Sequence, residues 1–459
     1  MTRKRFTKFG MMFASTAVAA LLTLAPMANA ADWERGIKSD PNATTVITNV
    51  SIFNGTDEIL ITGKDVVIKG NLIDSIVDTG GDTSGYGLVI DGKGGYLSPG
   101  LIDMHWHMTL GEGFEESASQ PIQYAAFRIA DDAHDYLLRG FTTSRDAAGP
   151  TVGVKRAIDE NLIPGPRIYP SEIGLSQYSG HIDFRNPNFL PAEMGGPVDP
   201  IEQIGFAYLV NSPDQVRAAV RHNLYKGATQ IKMAASGSVS GVADPLYVLE
   251  FTKAEIEAAV EAASDFGTYV QVHAHNAAAI KRALEAGVMT IEHGSFIDDE
   301  GMKMLVDKGA YFTPTYEVGK SLESSPDALM AAKAKQADAG VGNAMKLAKK
   351  YGAKVLFGTD MIFSKEARAQ QAKELTVRKE WFSSPEIMIQ ATGNAGEALW
   401  TLTGQRNPYG KVGVIQAGAM ADVIIFNKNP LEDVSIVEDA KNTLDFIMKD
   451  GFIHKNALQ

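Results

Sequence analysis

Short segments in which polar and apolar residues alternate mark the central part of the chain. In residues 101–107, the side chains of Asp103, His105 and His107 alternate with apolar ones, so the three polar side chains share one face of a strand. This run predicts a strand with an apolar back and a polar front that ends in two imidazoles. Further apolar runs also end close to a residue able to bind a metal ion: 229–233 with Lys232, 269–275 with His273 and His275, 289–294 with His293, and 355–360 with Asp360.

Between these strands the apolar spacing changes to the period of helices. Helices are predicted at 120–139, 213–226, 253–266, 277–286 and 326–351. Further strands are predicted at 140–146, 167–170 and 311–316. Alternating strands and helices favour an α/β fold, here a (β/α)8 TIM barrel, whose site is built from the C-terminal ends of its strands. The long connections 174–202, 234–250 and 361–384 follow strand ends and are expected to carry substrate contacts.

The two ends of the chain have a different pattern. Residues 44–98 form short strand-like runs separated by turn signals such as Asn54-Gly55, and residues 418–457 look similar. Both ends together predict a small β-sandwich domain, whereas two separate flaps would each be too small to bury an apolar face. The predicted divisions are a signal peptide at 1–30, sandwich parts at 31–98 and 405–459, and a barrel at 99–404.

The first 30 residues have the organisation of a secretory signal peptide. Basic residues at the start precede an apolar run from Met11 to Met27, and Ala28-Asn29-Ala30 resembles a cleavage site. We expect cleavage after Ala30 and export to the periplasm or the medium. An uncleaved membrane anchor is the alternative, and the shortness of the run and its polar interruptions disfavour it. No later segment is apolar enough to span a membrane, so we expect no stable membrane anchor after processing.

Charge and cysteine content narrow the function further. The net charge is −12, and loss of residues 1–30 changes it to −16, because that segment holds four basic residues and no acidic one. A charge of this sign argues against nucleic-acid partners. The chain contains no cysteine, which excludes disulfides, thiolate ligands and cysteine nucleophiles. Any metal site must therefore use nitrogen and oxygen ligands.

Lys232 is the most informative of the candidate ligands. A lysine that faces a barrel interior is costly as an ammonium ion, above all beside metal ions. A neutral lysine can add carbon dioxide, and the resulting carbamate has two oxygens that can bridge two metals. Pairing with a carboxylate such as Asp146 is the alternative.

The other candidate ligands are each weak signals, but together they support a metal site. A His-X-His pair alone is a weak signal, but His273 and His293 end two further strands, 20 residues apart. Asp360 ends the expected eighth strand, where a carboxylate can bind a metal and move a proton, although aspartate also caps helices.

These motifs resemble the amidohydrolase superfamily over nearly all of the mature chain. The resemblance rests on 99–107 with His105 and His107, 272–275, 291–294, 358–360 and the closing 418–426. Within that superfamily the chain is similar to the imidazolonepropionase-related branch, which includes Xaa-Pro and other dipeptidases and ochratoxin-hydrolysing amidases. Imidazolonepropionase itself and the mononuclear deaminases lack the bridging lysine. The resemblance implies that His105, His107 and Asp360 bind one metal, that His273 and His293 bind the second, and that carbamylated Lys232 bridges them.

The resemblance and the residues together predict hydrolysis of an amide bond by two divalent ions, with Zn²⁺ preferred. The expected substrate is a dipeptide or an N-acyl amino acid with a free carboxylate, including ochratoxin-type amides. We expect a hydroxide between the metals to attack the carbonyl, Asp360 to move the proton, and His275 or His181 to polarise the carbonyl oxygen. Candidates for holding the substrate carboxylate are Arg145, Arg185 and Tyr247.

Three other functions remain open from the sequence. They are a lactonase or phosphotriesterase, a mononuclear deaminase, and a non-catalytic metal-binding protein. The resemblance also implies a homo-oligomer, with an octamer as one form.

Overall fold

The computed structural model describes residues 44–111, 119–241, 243–362 and 364–458. The predicted signal peptide and its cleavage site lie outside these residues. Within the described ranges, no helix combines the length and the apolar character that crossing a membrane requires.

The strands are β1 (Thr44–Ile52), β2 (Lys64–Lys69), β3 (Leu72–Asp78), β4 (Leu88–Pro99), β5 (Leu101–Trp106), β6 (Phe141–Asp146), β7 (Arg167–Tyr169), β8 (Gly174–Ser176), β9 (Ala207–Leu209), β10 (Ile231–Ala234), β11 (Val270–Asn276), β12 (Thr290–Phe296), β13 (Tyr311–Thr313), β14 (Val423–Phe426), β15 (Leu444–Lys449) and β16 (Phe452–Asn456). The helices are α1 (Ile122–Leu138), α2 (Val152–Asp159), α3 (Pro200–Gln203), α4 (Pro213–Lys226), α5 (Lys253–Asp265), α6 (Ala277–Glu285), α7 (Asp299–Asp307), α8 (Tyr316–Ser321), α9 (Ala328–Tyr351), α10 (Lys365–Arg368), α11 (Lys373–Val377), α12 (Ser384–Gln390), α13 (Gly393–Thr403) and α14 (Ala440–Thr443).

Both ends of the chain build one mixed sheet, as the sequence predicts. Its strand order is β16-β15-β14-β4-β1-β2-β3, with β1 parallel to β4 and antiparallel pairing elsewhere. Apolar side chains from both ends, such as Ile47, Leu97 and Phe446, form a separate core within this sandwich-like domain. Neither end could bury these side chains alone.

The part of the chain between β4 and β14 forms the barrel, which is built from parallel strands. One sheet has the order β5-β6-β7, and a second has the order β13-β12-β11-β10-β8-β9. β7 and β8 together make the third barrel strand, because β7 pairs with β6 and β8 pairs with β10. The α/β barrel prediction is thereby confirmed.

The eighth barrel segment, residues 354–360, is irregular but closes the barrel on both sides. The Leu356 N–H donates to the Phe312 carbonyl at 2.8 Å on the β13 side. On the β5 side, the Met104 N–H donates to the Phe357 carbonyl at 2.8 Å, and the Asp360 N–H donates to the His105 carbonyl at 2.7 Å. Asp360 is therefore held directly beside the His-X-His strand.

The long helices lie where the apolar spacing places them, and capping side chains define their ends. α5 begins with a capping box in which Thr252 and Glu255 each bond the other's backbone N–H. α4 and α9 end at Gly227 and Gly352, both in the left-handed conformation that glycine adopts without strain. Apolar faces of these helices pack against the barrel strands in the main core.

Candidate active site

One cavity opens at the C-terminal ends of the barrel strands. It brings together the predicted ligands and both predicted polarising histidines, although they come from six segments of the chain. The residues concerned are His105, His107, His181, Lys232, His273, His275, His293 and Asp360.

Asp360 and the His-X-His pair form one side of this group. Asp360 Oδ1 lies 3.1 Å from His107 Nε2 and 3.6 Å from His105 Nε2. Burial opposes ionisation of the Asp360 carboxyl, but the charges of His105 and His107 and the hydrogen bond from His107 outweigh it and lower its pKa to about 2. The carboxylate is therefore ionised at neutral pH and available as a metal ligand.

Lys232 lines the cavity and is buried. Its Nζ is 3.3 Å from His105 Nε2, and burial lowers the pKa of the amine to about 8. The alternative partner, Asp146, is engaged elsewhere, because its carboxylate accepts from the Met108 N–H at 3.1 Å and from the Thr151 hydroxyl at 3.3 Å. The Lys232 amine thus hydrogen bonds the His105 imidazole, whereas the carboxylates of Glu292 and Asp360 act on it through their charges.

Three histidines form the other side of the group. His273, His275 and His293 offer ring nitrogens that all lie within 4.8 Å of one another, and His293 also belongs to a second such group with His105 and Asp360. His293 is therefore placed between the two halves of the site. His275 lies as close to this cluster as His273 does, so the cluster contains one more histidine than the predicted ligand set.

Each of four histidines has its Nδ1 hydrogen bonded to another residue of the chain. His107 donates to the Ala148 carbonyl at 3.1 Å, His293 bonds the Thr315 hydroxyl at 2.6 Å, and His275 bonds the Ser295 hydroxyl at 3.0 Å. His105 Nδ1 lies 2.9 Å from Glu292. Bonds of this kind fix the ring orientation and leave Nε2 for a metal or a substrate. His273 differs, since its Nδ1 is buried and has no hydrogen-bond partner within the described chain.

Arg145 does not reach the cavity, which corrects the prediction that it holds a substrate carboxylate. It is fully buried inside the barrel, where its guanidinium donates to Glu292 at 2.7 and 2.8 Å and to the Met104 carbonyl at 2.6 Å. Burial disfavours the charged form of Glu292, but Arg145 and His105 outweigh it and lower its pKa to about 2. Arg145 therefore acts on His105 through Glu292, a residue to which the sequence prediction gave no role.

Asp103 is a second residue whose role was missed. Its carboxylate accepts from the His105 N–H at 3.0 Å, the Thr359 N–H at 3.1 Å and the Thr359 hydroxyl at 2.6 Å. A further bond comes from Gln371 at 2.9 Å. Asp103 thus ties β5 to the eighth segment and fixes the spacing between the His-X-His pair and Asp360.

The backbone is unusual where two of the ligands sit. His293 and Asp360 adopt left-handed φ angles of 68° and 55°, a conformation that costs free energy for residues other than glycine. Gly358 allows the eighth segment to approach β5, because a Cβ there would lie 2.9 Å from the His105 Cβ. Strain of this kind is common at functional sites, where the surrounding fold maintains it.

His181 reaches the cavity from the loop after β8. Its ring stacks on His273 with a centroid separation of 4.1 Å, and its Nδ1 lies 3.7 Å from Asp244. Asp244 belongs to the 234–250 connection, which Lys333 anchors by donating to the carbonyls of Ser238 and Gly241 at 3.0 and 2.7 Å. Two predicted substrate loops therefore meet beside the candidate metal ligands.

The other two predicted carboxylate-binding residues also lie away from the cavity lining. Tyr247 is 79% exposed on the outside of its loop. Arg185 is paired with Asp183, to which it donates at 2.8 and 2.5 Å. Arg145, Arg185 and Tyr247, which were proposed for this role from the sequence, thus do not form a pocket for a substrate carboxylate at the candidate metal site.

The donor set fits a metal centre. It consists of imidazole nitrogens, carboxylate oxygens and a lysine amine, which suit divalent ions such as Zn²⁺. The buried, unpartnered Nδ1 of His273 is the clearest local sign, because a buried polar atom is normally satisfied.

Comparison with known proteins agrees with this geometry. A family model described as "Amidohydrolase family" matches residues 96–453. Ochratoxinase from Aspergillus niger is 29% identical over 372 residues, which cover 78% of this chain and 75% of that protein.

Solved structures give the same result. A structure described as an amidohydrolase is 33% identical, with a TM-score of 0.84, and the match covers 91% of this chain and all of that one. A prolidase complexed with N-methylphosphonate-L-proline is 32% identical, with a TM-score of 0.81 and coverage of 90% and 100%. The chain belongs to the amidohydrolase family, and it is a metal-dependent hydrolase related to prolidases and ochratoxinase.

Proposed function

We propose that this protein is a binuclear metal-dependent amidase that hydrolyses the amide bond of a dipeptide or of an N-acyl amino acid. Ochratoxin-type amides belong to the same substrate class. The observation that carries the proposal is the Lys232 amine, which is buried, lies 3.3 Å from His105 Nε2 and has a pKa lowered to about 8. A neutral amine can add carbon dioxide, and a carbamate would offer one oxygen to each of two ions.

The ligand assignment is the one that the family resemblance implies, and the presence of all these side chains in one cavity supports it. His105, His107 and Asp360 would hold one ion, and His273 and His293 would hold the other, with Zn²⁺ the proposed metal. When bound, the ions supply a nucleophilic water at neutral pH and polarise the scissile carbonyl. The absence of cysteine from the chain agrees with this choice of nitrogen and oxygen ligands.

The chain's own residues would move the proton and hold the substrate. Asp360, which is ionised at neutral pH, accepts the proton of the attacking water on Oδ1 and delivers it to the leaving amine nitrogen. His275 and His181, which line the same cavity, would donate a hydrogen bond to the carbonyl oxygen as negative charge develops there. Apolar side chains such as Ile182, Phe206 and Val239 also line the cavity and would exclude water from part of it.

The test is an activity panel on protein treated with a chelator and then reloaded with Zn²⁺. The panel contains dipeptides, N-acyl amino acids, an ochratoxin-type amide, a lactone, a phosphotriester and an aminopyrimidine. We expect the reloaded protein to hydrolyse amides with the highest kcat/KM and the chelated protein to be inactive.

Other outcomes would contradict the proposal in distinct ways. A preference for the lactone or the phosphotriester would indicate that the protein is a lactonase or a phosphotriesterase and not an amidase. Release of ammonia from the aminopyrimidine with one metal per chain would indicate a deaminase. Metal binding without turnover of any substrate would indicate a non-catalytic protein.

A further inference from the structure

One carboxylate in the cavity wall is not used by the metal site. Asp338 lies on α9 and lines the same cavity as the candidate ligands. Among the lining side chains of the described residues, the other charged groups are Lys232, Asp360 and the histidines, and no arginine is present. The part of the cavity available to a substrate thus contains a single fixed negative charge outside the metal centre.

The surroundings of Asp338 leave part of its carboxylate free. Its Oδ1 is buried and accepts no hydrogen bond from the residues that the structure describes. The Tyr316 hydroxyl hydrogen bonds the Asp338 carboxylate, and the exposed Lys320 donates to that hydroxyl at 3.2 Å and interacts with Asp338 through its charge. Lys320 thus reaches the carboxylate through Tyr316 and not by a direct hydrogen bond, and the buried Oδ1 keeps its capacity to accept.

The walls next to Asp338 are apolar. Ala337 and Val341 lie on the same helix, and Val318 and Leu322 face the cavity from the segment that follows β13. A carboxylate at the end of an apolar wall suits a group that has a methylene stem and a charged tip, as the lysine and arginine side chains have. An anionic tip would be repelled and a tip without a donor would leave the buried oxygen unsatisfied, whereas a neutral donor would make a weaker hydrogen bond than a cation does.

We propose that Asp338 binds a cationic nitrogen of the substrate, so the preferred amides carry a protonated amine or a guanidinium. The inference rests on the proposed amidase function and adds a substrate class to it. The sequence predicted that arginine would bind a substrate carboxylate. The present proposal is instead that a carboxylate of the protein binds a substrate cation. The cation can come from a side chain or from the α-amine of a dipeptide, and the experiment separates these two sources.

The experiment measures kcat/KM for pairs of substrates that differ in one charge. For the side chain, the pairs are Ala-Arg with Ala-citrulline and Ala-Lys with Ala-norleucine. For the α-amine, the pair is Ala-Met with N-acetyl-Ala-Met. We expect the wild-type protein to favour the cationic member of at least one pair by about tenfold or more, as for a charged hydrogen bond.

Asp338→Asn preserves the shape of the side chain and removes its charge. We expect this variant to reduce the cationic preference to nearly equal rates for both members of the affected pair. The control is Asp307→Asn, which removes one exposed negative charge on α7, where Asp307 pairs with Lys303, and should keep the wild-type preference. Thermal unfolding of both variants checks that the fold is retained, and Asp338→Ser provides a second neutral variant.

The outcomes separate the two proposals. If Asp338→Asn keeps the charge preference of the wild type, or if the wild type has none, Asp338 does not select cations although the protein hydrolyses amides. If neither member of any pair is hydrolysed by the Zn²⁺-loaded wild type, the proposed amidase function itself is wrong. Loss of preference in the Arg and Lys pairs alone assigns the cation to the side chain, and loss in the Met pair alone assigns it to the α-amine.

Discussion

Replacing Arg145 by methionine tests whether the buried ion pair with Glu292 supports the site. The variant keeps the apolar stem but leaves the Glu292 carboxylate, which has no solvent exposure, without its cation. At the observed 2.7 Å, the Coulomb attraction is about 6 kcal/mol at an effective dielectric constant of about 20. Desolvation offsets part of this attraction, and breaking a buried pair typically costs about 3–5 kcal/mol.

We therefore expect Arg145→Met to lower the free energy of unfolding by about 3–5 kcal/mol. Urea unfolding followed by circular dichroism measures the change. The double variant Arg145→Met, Glu292→Gln should lose less than the sum of the single variants, because it leaves no unpaired charge. Arg156→Met is the matched control, since Arg156 pairs with Glu160 on the exposed face of α2 and should contribute less than about 1 kcal/mol.

The ion pair also predicts how the free energy of unfolding changes with pH. In the wild type, the pKa of Glu292 is lowered from 4.5 to about 2, so the stability it contributes is present above pH 4.5 and is lost as the pH falls towards 2. In Arg145→Met, the buried carboxyl should instead have a raised pKa and gain a proton more readily. The difference between the two proteins should therefore narrow as the pH falls. An unchanged stability together with a raised KM would refute this reasoning and return Arg145 to substrate binding.

Three further predictions concern individual residues. Asp360→Asn should reduce kcat by about 10²-fold or more while some metal remains, and an unchanged kcat in steady-state assays would exclude its role as the proton carrier. Elemental analysis should show that His273→Ala loses metal while His275→Ala keeps both ions and loses about 10²-fold in rate. The reverse result would exchange the two histidines of β11. Mass spectrometry of exported protein should find Ala31 at the N-terminus, and an intact Met1 would contradict cleavage.

The strand-end ligands could be predicted because two simple rules act together. Side chains alternate along a strand, and the C-terminal ends of parallel barrel strands meet on one face. These rules suffice to place His105, His107, Lys232 and His273 in one cavity. Helix limits were also predictable to within a few residues, since local capping residues such as Ser212 and Gly227 define them.

The rule that side chains alternate along a strand does not hold where the backbone leaves the extended conformation. Glu292 and His293 are consecutive, yet Glu292 bonds His105 inside the barrel and His293 also lines the cavity. The left-handed φ of 68° at His293 allows both side chains to point inwards. Tertiary contacts impose such a conformation, so a rule based on strand period could not predict it.

The role of Arg145 depended on a partner that is remote in sequence. An arginine at a strand end can equally hold a substrate carboxylate or a buried glutamate, and Glu292 lies 147 residues further along the chain. A signal was present, because Arg145 and Glu292 both lie in buried strands with few charged residues, and buried charges are normally paired. Their pairing could have been proposed, but the sequence contained no information on which strands meet across the barrel.

The central claim is that Lys232 bridges two metal ions, and metal content tests it most directly. Elemental analysis of purified, Zn²⁺-reloaded protein should give about two ions per chain for the wild type and a large loss for Lys232→Ala. Reloading of the wild-type apoprotein should improve when bicarbonate is added, because the carbamate requires carbon dioxide. Lys232→Ala protein that retains two ions per chain, with wild-type reloading independent of bicarbonate, would contradict the bridging role of Lys232.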